Sequence, residues 1–153
     1  MGEPAPDIEE WVAAVARRLG IDLADQDALV TAVLDLTADV QVVVGDAGVA
    51  AGQATAFVRG STAAITTMEF EPGGVHDLGA MLERLIPTSG EYEHNRLNHD
   101  TNSHAHQRAS LIGPSLSVPI IDGRLVVGTW QQIVLIDFDD RPRRRTVVVQ
   151  ILS

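Results

Sequence analysis

Four of the five histidines, His94, His99, His104 and His106, fall close together, interleaved with Asp100, Asn102 and Arg108. In a strand or an extended loop side chains alternate, so His104-x-His106 would point two imidazoles the same way. With His94 or Asp100 folded back, this becomes a set of N and O ligands with an open position, the arrangement of catalytic zinc. His94, His104 and His106 are therefore the candidate metal ligands. A loop of scattered surface histidines is the plain alternative.

Other groups surround this cluster in the sequence. Arg96 and Arg108 bracket it, and a guanidinium fork beside imidazoles suits phosphate or carboxylate; pairing with surface acids is the other use of such arginines. Gly60-Ser61-Thr62 lies between two strand-like runs and offers backbone N–H groups and hydroxyls to an anion, or is a plain turn. Glu69 and Glu71 are candidates for a general base or a Mg²⁺ ligand, or are solvated carboxylates at a strand end. Gln131 and Gln132 enter a strand of Ile, Val and Leu. A buried amide without partners costs about 1–3 kcal/mol, so one of the two is expected to hydrogen-bond at a site. Trp130 reads as a core or subunit-contact residue.

Composition narrows the chemistry. The net charge of −10 and the pI near 4.7 argue against nucleic acid as a partner, since phosphate backbones need a basic face. All the basic residues are arginines, which excludes a lysine Schiff base. With no cysteine there is no disulfide, thiolate nucleophile or Cys-type zinc site. The first twenty residues carry four acids and no signal-peptide apolar run, and no stretch approaches a membrane span. A soluble cytoplasmic protein without membrane contact is expected.

The elements that must position these groups follow from the apolar pattern. Ile8, Trp11, Val12, Val15 and Leu19 form a helical stripe, with Asp7 as N-cap and Gly20 as the stop. Asp25 to Val44 fits either a helix through Leu29, Val33, Leu36 and Val40, or a strand followed by a helix from Thr37. Ala54–Arg59 and Ala63–Glu69 are strands. Glu71-Pro72-Gly73-Gly74 breaks the chain before a helix over His76–Ile86. Residues 87–104 form a long polar loop of the kind that is often functional. Ser115–Ile121, Arg124–Val127, Gln131–Phe138 and Arg144–Leu152 complete the strands, with Asp122-Gly123 as a hairpin turn. Strands dominate and helices are segregated, which gives an α+β class with a mostly antiparallel sheet or sandwich and one or two packing helices.

Ser61-Thr62-Ala63-Ala64-Ile65-Thr66-Thr67, Tyr92-x-His94, Asp100-x-Asn102-x-His104-x-His106-x-Arg108, Leu111-Ile112-Gly113-Pro114-Ser115-Leu116, Asp122-Gly123-Arg124-Leu125 and Gly128-Thr129-Trp130-Gln131-Gln132-Ile133 together resemble the YjbQ family. The match runs in order from about Leu34 to Leu152. The resemblance implies a small α+β protein that assembles as a homotrimer with its sites at subunit interfaces. It also implies, for some members, secondary thiamine-phosphate synthase activity, in which a pyrimidine diphosphate and a thiazole phosphate join and pyrophosphate leaves. His94, Asp100, Asn102, His106 and Arg108 fall on the family's polar loop and Thr62 on its Thr-Ala-Ala turn. Many members carry His where this chain has Gly60, and His104 is the expected replacement for that imidazole. Asp100-Thr101-Asn102-Ser103 stands where Asp-Gly-Asn-Gly is usual. Glu10-Trp11-Val12 through Leu34–Val40 also resembles a short helical domain associated with molybdenum-cofactor guanylyltransferases.

The expected organisation is a helical extension over 1–27 and a YjbQ-like domain over 28–153. The expected activity is a metal-dependent reaction, with Zn or Mg, on a small phosphorylated ligand, possible thiamine-phosphate synthesis being its named version. Glu69, Asp100 and Arg108 are the catalytic candidates, and Ser61, Thr62, Asn102, Arg108 and Gln131 the substrate-binding ones. A non-catalytic metal- or ligand-binding trimer is the alternative.

Overall fold

The computed structural model describes residues 17–22 and 32–153. The described residues form eight strands, β1 (Arg17–Asp22), β2 (Ala32–Asp35), β3 (Ala51–Arg59), β4 (Ala63–Met68), β5 (Ser115–Ile121), β6 (Arg124–Leu125), β7 (Gln132–Asp137) and β8 (Arg144–Leu152), and four helices. The helices are α1 (Thr37–Ala47), α2 (Pro72–Leu85), α3 (Glu93–Asn98) and α4 (Ser103–Ile112). One sheet runs β1-β8-β3-β5-β6 and the other β2-β7-β4, and each pairing is antiparallel. The α+β class with antiparallel sheets is as expected. None of the described helices is long and apolar enough to cross a membrane.

β7 is what the two cores share. Ile133 and Leu135 face the larger sheet and α1, packing with Ala54, Ala56 and Val58 of β3 and Val147, Val149 and Ile151 of β8. Val134, Ile136 and Phe138 face the other way, onto Leu82 of α2 and Ala105 and Ala109 of α4. A strand buried on both faces reads as an unbroken apolar run, which is why Ile133–Ile136 shows no alternation. β8 has one buried face, and its strict alternation brings Arg145 into phase with Val147, Val149 and Ile151. By the same period of two, Asp137 shares a face with Ile133 and Leu135. Two charged groups thus enter the end of the inter-sheet layer from opposite sheets.

Several local expectations change. Arg17–Asp22, read as the end of a helix, is an edge strand paired with β8 from Arg17↔Val149 to Asp22↔Arg144; the rest of that stripe lies outside the described residues, as does most of the stretch likened to the guanylyltransferase-associated domain. Of the two readings of 25–44, a strand followed by a helix from Thr37 is the one formed. Asp35 Oδ1 accepts from Thr37 N at 2.8 Å and Thr37 Oγ1 at 2.6 Å, which starts α1.

Pro72-Gly73-Gly74 begins α2 rather than breaking the chain. Glu71 is its N-cap, accepting from Gly73 N at 2.7 Å and from Gly74 N, and proline fits the first turn because no N–H is needed there. The polar stretch 87–104 is not a plain loop. It contains α3, and α4 begins at Ser103. The Asp122-Gly123 turn is as expected, with φ of 52° and 72° at its two residues, the mirror-image turn that matches strand twist.

Candidate functional site

Three segments meet at the end of the inter-sheet layer around an open pocket of about 340 Å³. The β3–β4 turn supplies Gly60, Ser61 and Thr62, the start of α4 supplies Asn102 and His106, and the β7–β8 connection with the start of β8 supplies Asp139, Arg143 and Arg145. The turn is tied to the end of β7 by Phe138 N donating to Thr62 O at 3.0 Å.

A dense ionic network forms the floor. Arg145 donates from Nε to Asp137 Oδ2 at 2.5 Å and from Nη2 to Asp137 Oδ1 at 2.6 Å. Its Nη2 also reaches Thr62 Oγ1 at 2.8 Å. Thr62 Oγ1 donates in turn to Asp139 Oδ2 at 2.8 Å, and Arg143 Nε donates to the same oxygen at 2.9 Å. Burial pushes the Asp139 carboxyl upward, but the bonds from Arg143 and Thr62 outweigh it and hold the group at about 2. Asp139 is thus an acceptor at neutral pH, and its Oδ1 is buried without a partner among the described residues.

The α4 side is arranged differently. Asn95 Oδ1 accepts from Ser103 N at 2.9 Å and so does the work of an N-cap from outside the helix. Asn102, at the N-cap position, makes no side-chain cap; it lines the pocket, and its Oδ1 is buried without a partner among the described residues.

Of the residues singled out in the sequence, Ser61, Thr62, Asn102 and His106 come together in this pocket. The three imidazoles do not converge. His104 and His106 lie on a helix, not an extended segment, and two residues along a helix turn the direction by about 200°. His106 packs against His94 with ring centroids 4.8 Å apart and the two rings tilted by 55°. His104 is buried, with Nδ1 unpartnered. Burial, reinforced by the nearby Arg108 charge, pulls its pKa below the ordinary value, so the ring is neutral at pH 7. It is His106, not His104, that stands beside Gly60 in the pocket. Among the described residues, no group of three or more His, Asp or Glu side chains is placed to hold a single metal ion.

The remaining candidates lie outside the pocket lining. Arg108 is buried and donates from Nε and Nη2 to Ile86 O at 3.1 and 2.7 Å, and from Nη2 to Glu83 Oε2 at 2.6 Å. It ties the end of α2 to α4. Asp100 accepts from Arg141 and from Thr101 N. Glu69 is exposed, and its carbonyl accepts from Glu71 N at 3.1 Å. Gln131 closes the turn before β7, accepting from Gly128 N at 3.1 Å and donating to Thr67 Oγ1 at 3.2 Å. Gln132 joins Phe70 N and Thr129 O.

Asp137, Asp139, Arg143 and Arg145 were not among the candidates. A signal for two of them exists, because an arginine in phase with three buried aliphatics of β8 and an aspartate closing the apolar run of β7 each need a buried partner of opposite charge.

A family model described as UPF0047 protein YjbQ-like matches residues 26–153. A UPF0047 protein of Archaeoglobus fulgidus is 39% identical over 101 residues, 66% of this chain and 78% of its own length. One from Methanothermobacter thermautotrophicus is 37% identical over 118 residues, 77% of this chain and 80% of its own. Among solved structures, a YbjQ-like protein of unknown function from Sulfolobus solfataricus superposes with a TM-score of 0.79 at 30% identity, covering 90% of this chain and 98% of that one. A family member from Clostridium acetobutylicum gives 0.76 at 35% identity, covering 88% and 99%. With its match extending over nearly the whole described domain, the chain belongs to the UPF0047 (YjbQ-like) family.

Proposed function

We propose that the pocket binds a phosphorylated small molecule and that the chain is an enzyme acting on it, thiamine-phosphate synthesis being the version that the family resemblance names. The observation that carries this reading is the meeting of the Gly60–Thr62 turn, which brings the Ser61 hydroxyl, with two arginines and one imidazole around a single opening. Directed donors of this kind suit a phosphate, and they neutralise charge that develops on a departing diphosphate. His106 is the pocket's imidazole, the side-chain type that most often carries a proton in catalysis.

A divalent cation belongs to the same proposal. The acceptors that fit it are Oδ1 of Asp139 and Oδ1 of Asn102, on two of the segments that line the pocket and both unpartnered among the described residues. One carboxylate plus substrate phosphates is a usual setting for Mg²⁺. Such an ion would supply charge neutralisation at the phosphates. A homotrimer is also proposed; the exposed apolar side chains of Leu97, Leu111 and Trp130 are surface that subunit burial would cover.

The test is thiamine phosphate formation from the pyrimidine diphosphate and the thiazole phosphate, with and without Mg²⁺, against a His106→Ala control. Product that depends on His106 supports the enzyme reading. Binding of either substrate without product would leave a binding protein, and no binding of either would sink the site.

A further inference from the structure

We propose that Arg145 is the oxyanion-binding residue of this pocket and that Gly60 is what lets an oxyanion reach it. The proposal rests on the reading of the pocket as a phosphate site, and names the pair of residues that would recognise the anionic group.

The donors of Arg145 can be counted. A guanidinium has one N–H on Nε and two on each terminal nitrogen. Nε is taken by Asp137 Oδ2, and the two hydrogens of Nη2 by Asp137 Oδ1 and Thr62 Oγ1. Among the described residues Nη1 has no hydrogen-bond partner, yet it is not among the buried polar atoms left unsatisfied. The side chain is 7% exposed, so a buried, rigidly held cation presents its remaining donors at the pocket.

Gly60 is the cover that is missing. A β-carbon at position 60 would stand 3.0 Å from Arg145 Nη1. An ordinary arginine tip would swing aside, but this one is held by Asp137 and Thr62. The φ of +147° at Gly60 also disfavours any side chain there. Backbone conformation and absent side chain together keep Nη1 open.

The surrounding charges set the character of the site. Asp137 is engaged by Arg145, and Asp139 by Arg143 and Thr62, so two cations and two carboxylates balance. An incoming anion is attracted by oriented N–H groups rather than by net positive charge. Recognition should therefore favour compact oxyanions able to accept two donors, a phosphate or a carboxylate, and depend weakly on salt.

The experiment titrates the full chain with inorganic phosphate and, separately, with acetate. It follows the arginine side-chain ¹⁵N signals by NMR and affinity by calorimetry, with Gly60→Ala alongside. Phosphate is expected to shift and protect the Arg145 Nη protons, and Gly60→Ala, checked for native circular dichroism, to bind about tenfold more weakly or worse. If that variant does not fold, the Arg145 signals of the unaltered chain decide. A response to acetate but not phosphate would support the Arg145 anchor while overturning the phosphorylated-substrate reading. Phosphate binding that leaves Arg145 unmoved, or is unchanged in folded Gly60→Ala, would overturn the anchor and leave the pocket reading standing. No binding of either anion would overturn both.

Discussion

Arg108 and Arg145 are both buried guanidiniums, and the difference between them lies in their partners. Arg145 faces a carboxylate as buried as itself, 7% exposed on each side of the pair, and bonds it through two nitrogens. Arg108 is 5% exposed, but its carboxylate partner Glu83 is 47% exposed, and its other partner is the carbonyl of Ile86 at the end of α2. Removing water from both ions of a pair is costly and is offset only by close, multiple bonds. The first arrangement keeps a charge network rigid beneath a pocket. The second pins one helix to another, and leaves its anion in contact with solvent. Burial of an arginine alone therefore does not mark it as ligand-binding; the donors left over after its structural partners are counted do.

The sharpest way to break this comparison is to remove each cation's support. Asp137→Asn leaves Arg145 charged, buried and short of its main partner, and should lower unfolding free energy by about 3–5 kcal/mol in urea titrations. A loss under about 1 kcal/mol would mean that the pair is effectively solvated. Arg108→Met keeps most of the side-chain stem, strands the Ile86 carbonyl and frees Glu83 to rehydrate. It should cost less, about 1–3 kcal/mol. Were Arg108→Met the more damaging change, exposure of the partner would not be what separates the two sites.

The same contrast shows how far the sequence carried the reading. The strands of the second half were legible because β8 alternates strictly and β7 is apolar without a break, and the Asp122-Gly123 turn declared its own geometry. The site was half legible. Ser61, Thr62, Asn102 and His106 stand out by type and spacing, as does Arg108 by its nearness to histidines, whereas Arg145 is marked only by its phase with Val147, Val149 and Ile151. α4 was missed for a physical reason. Its buried face joins Ala105 and Ala109 to Ser103, His104 and Arg108, which gives no apolar stripe, so Ser103–Ile112 reads as polar. His-x-His then suggested parallel imidazoles where a helix turns them apart.

His104 offers a smaller effect from the Arg108 side of the molecule. Its pKa lies below the ordinary 6.5 because burial and Arg108 disfavour the charged ring. Between the folded value and 6.5 the unfolded chain therefore binds more protons, so stability rises with pH there and falls on acidification from about pH 6.5. Denaturation midpoints of His104→Gln should show a flatter slope below that pH than the parent. Equal slopes would mean that the ring is protonated without penalty, which would place solvent around the Arg108 region as well.

The smallest effect belongs to Glu83→Gln, which sharpens the comparison by testing the exposed half of the weaker pair. Burial pushes the Glu83 carboxyl up, but bonds from Thr88 N at 3.0 Å and from Arg108 outweigh it and set it below the ordinary carboxylate value. Its contribution is thus present above the unfolded carboxylate pKa and lost on acidification through the folded one. Because the side chain is about half exposed, solvent screens the charge, and the loss should stay below about 1 kcal/mol at pH 7. The amide keeps one acceptor oxygen, enough for Thr88 or for Arg108 but not for both. Chemical denaturation of this variant beside Asp137→Asn would then compare partner for partner. A loss in Glu83→Gln approaching that of Asp137→Asn would show that both arginines depend on their carboxylates alike, and that the carbonyl of Ile86 is not what holds Arg108 in place.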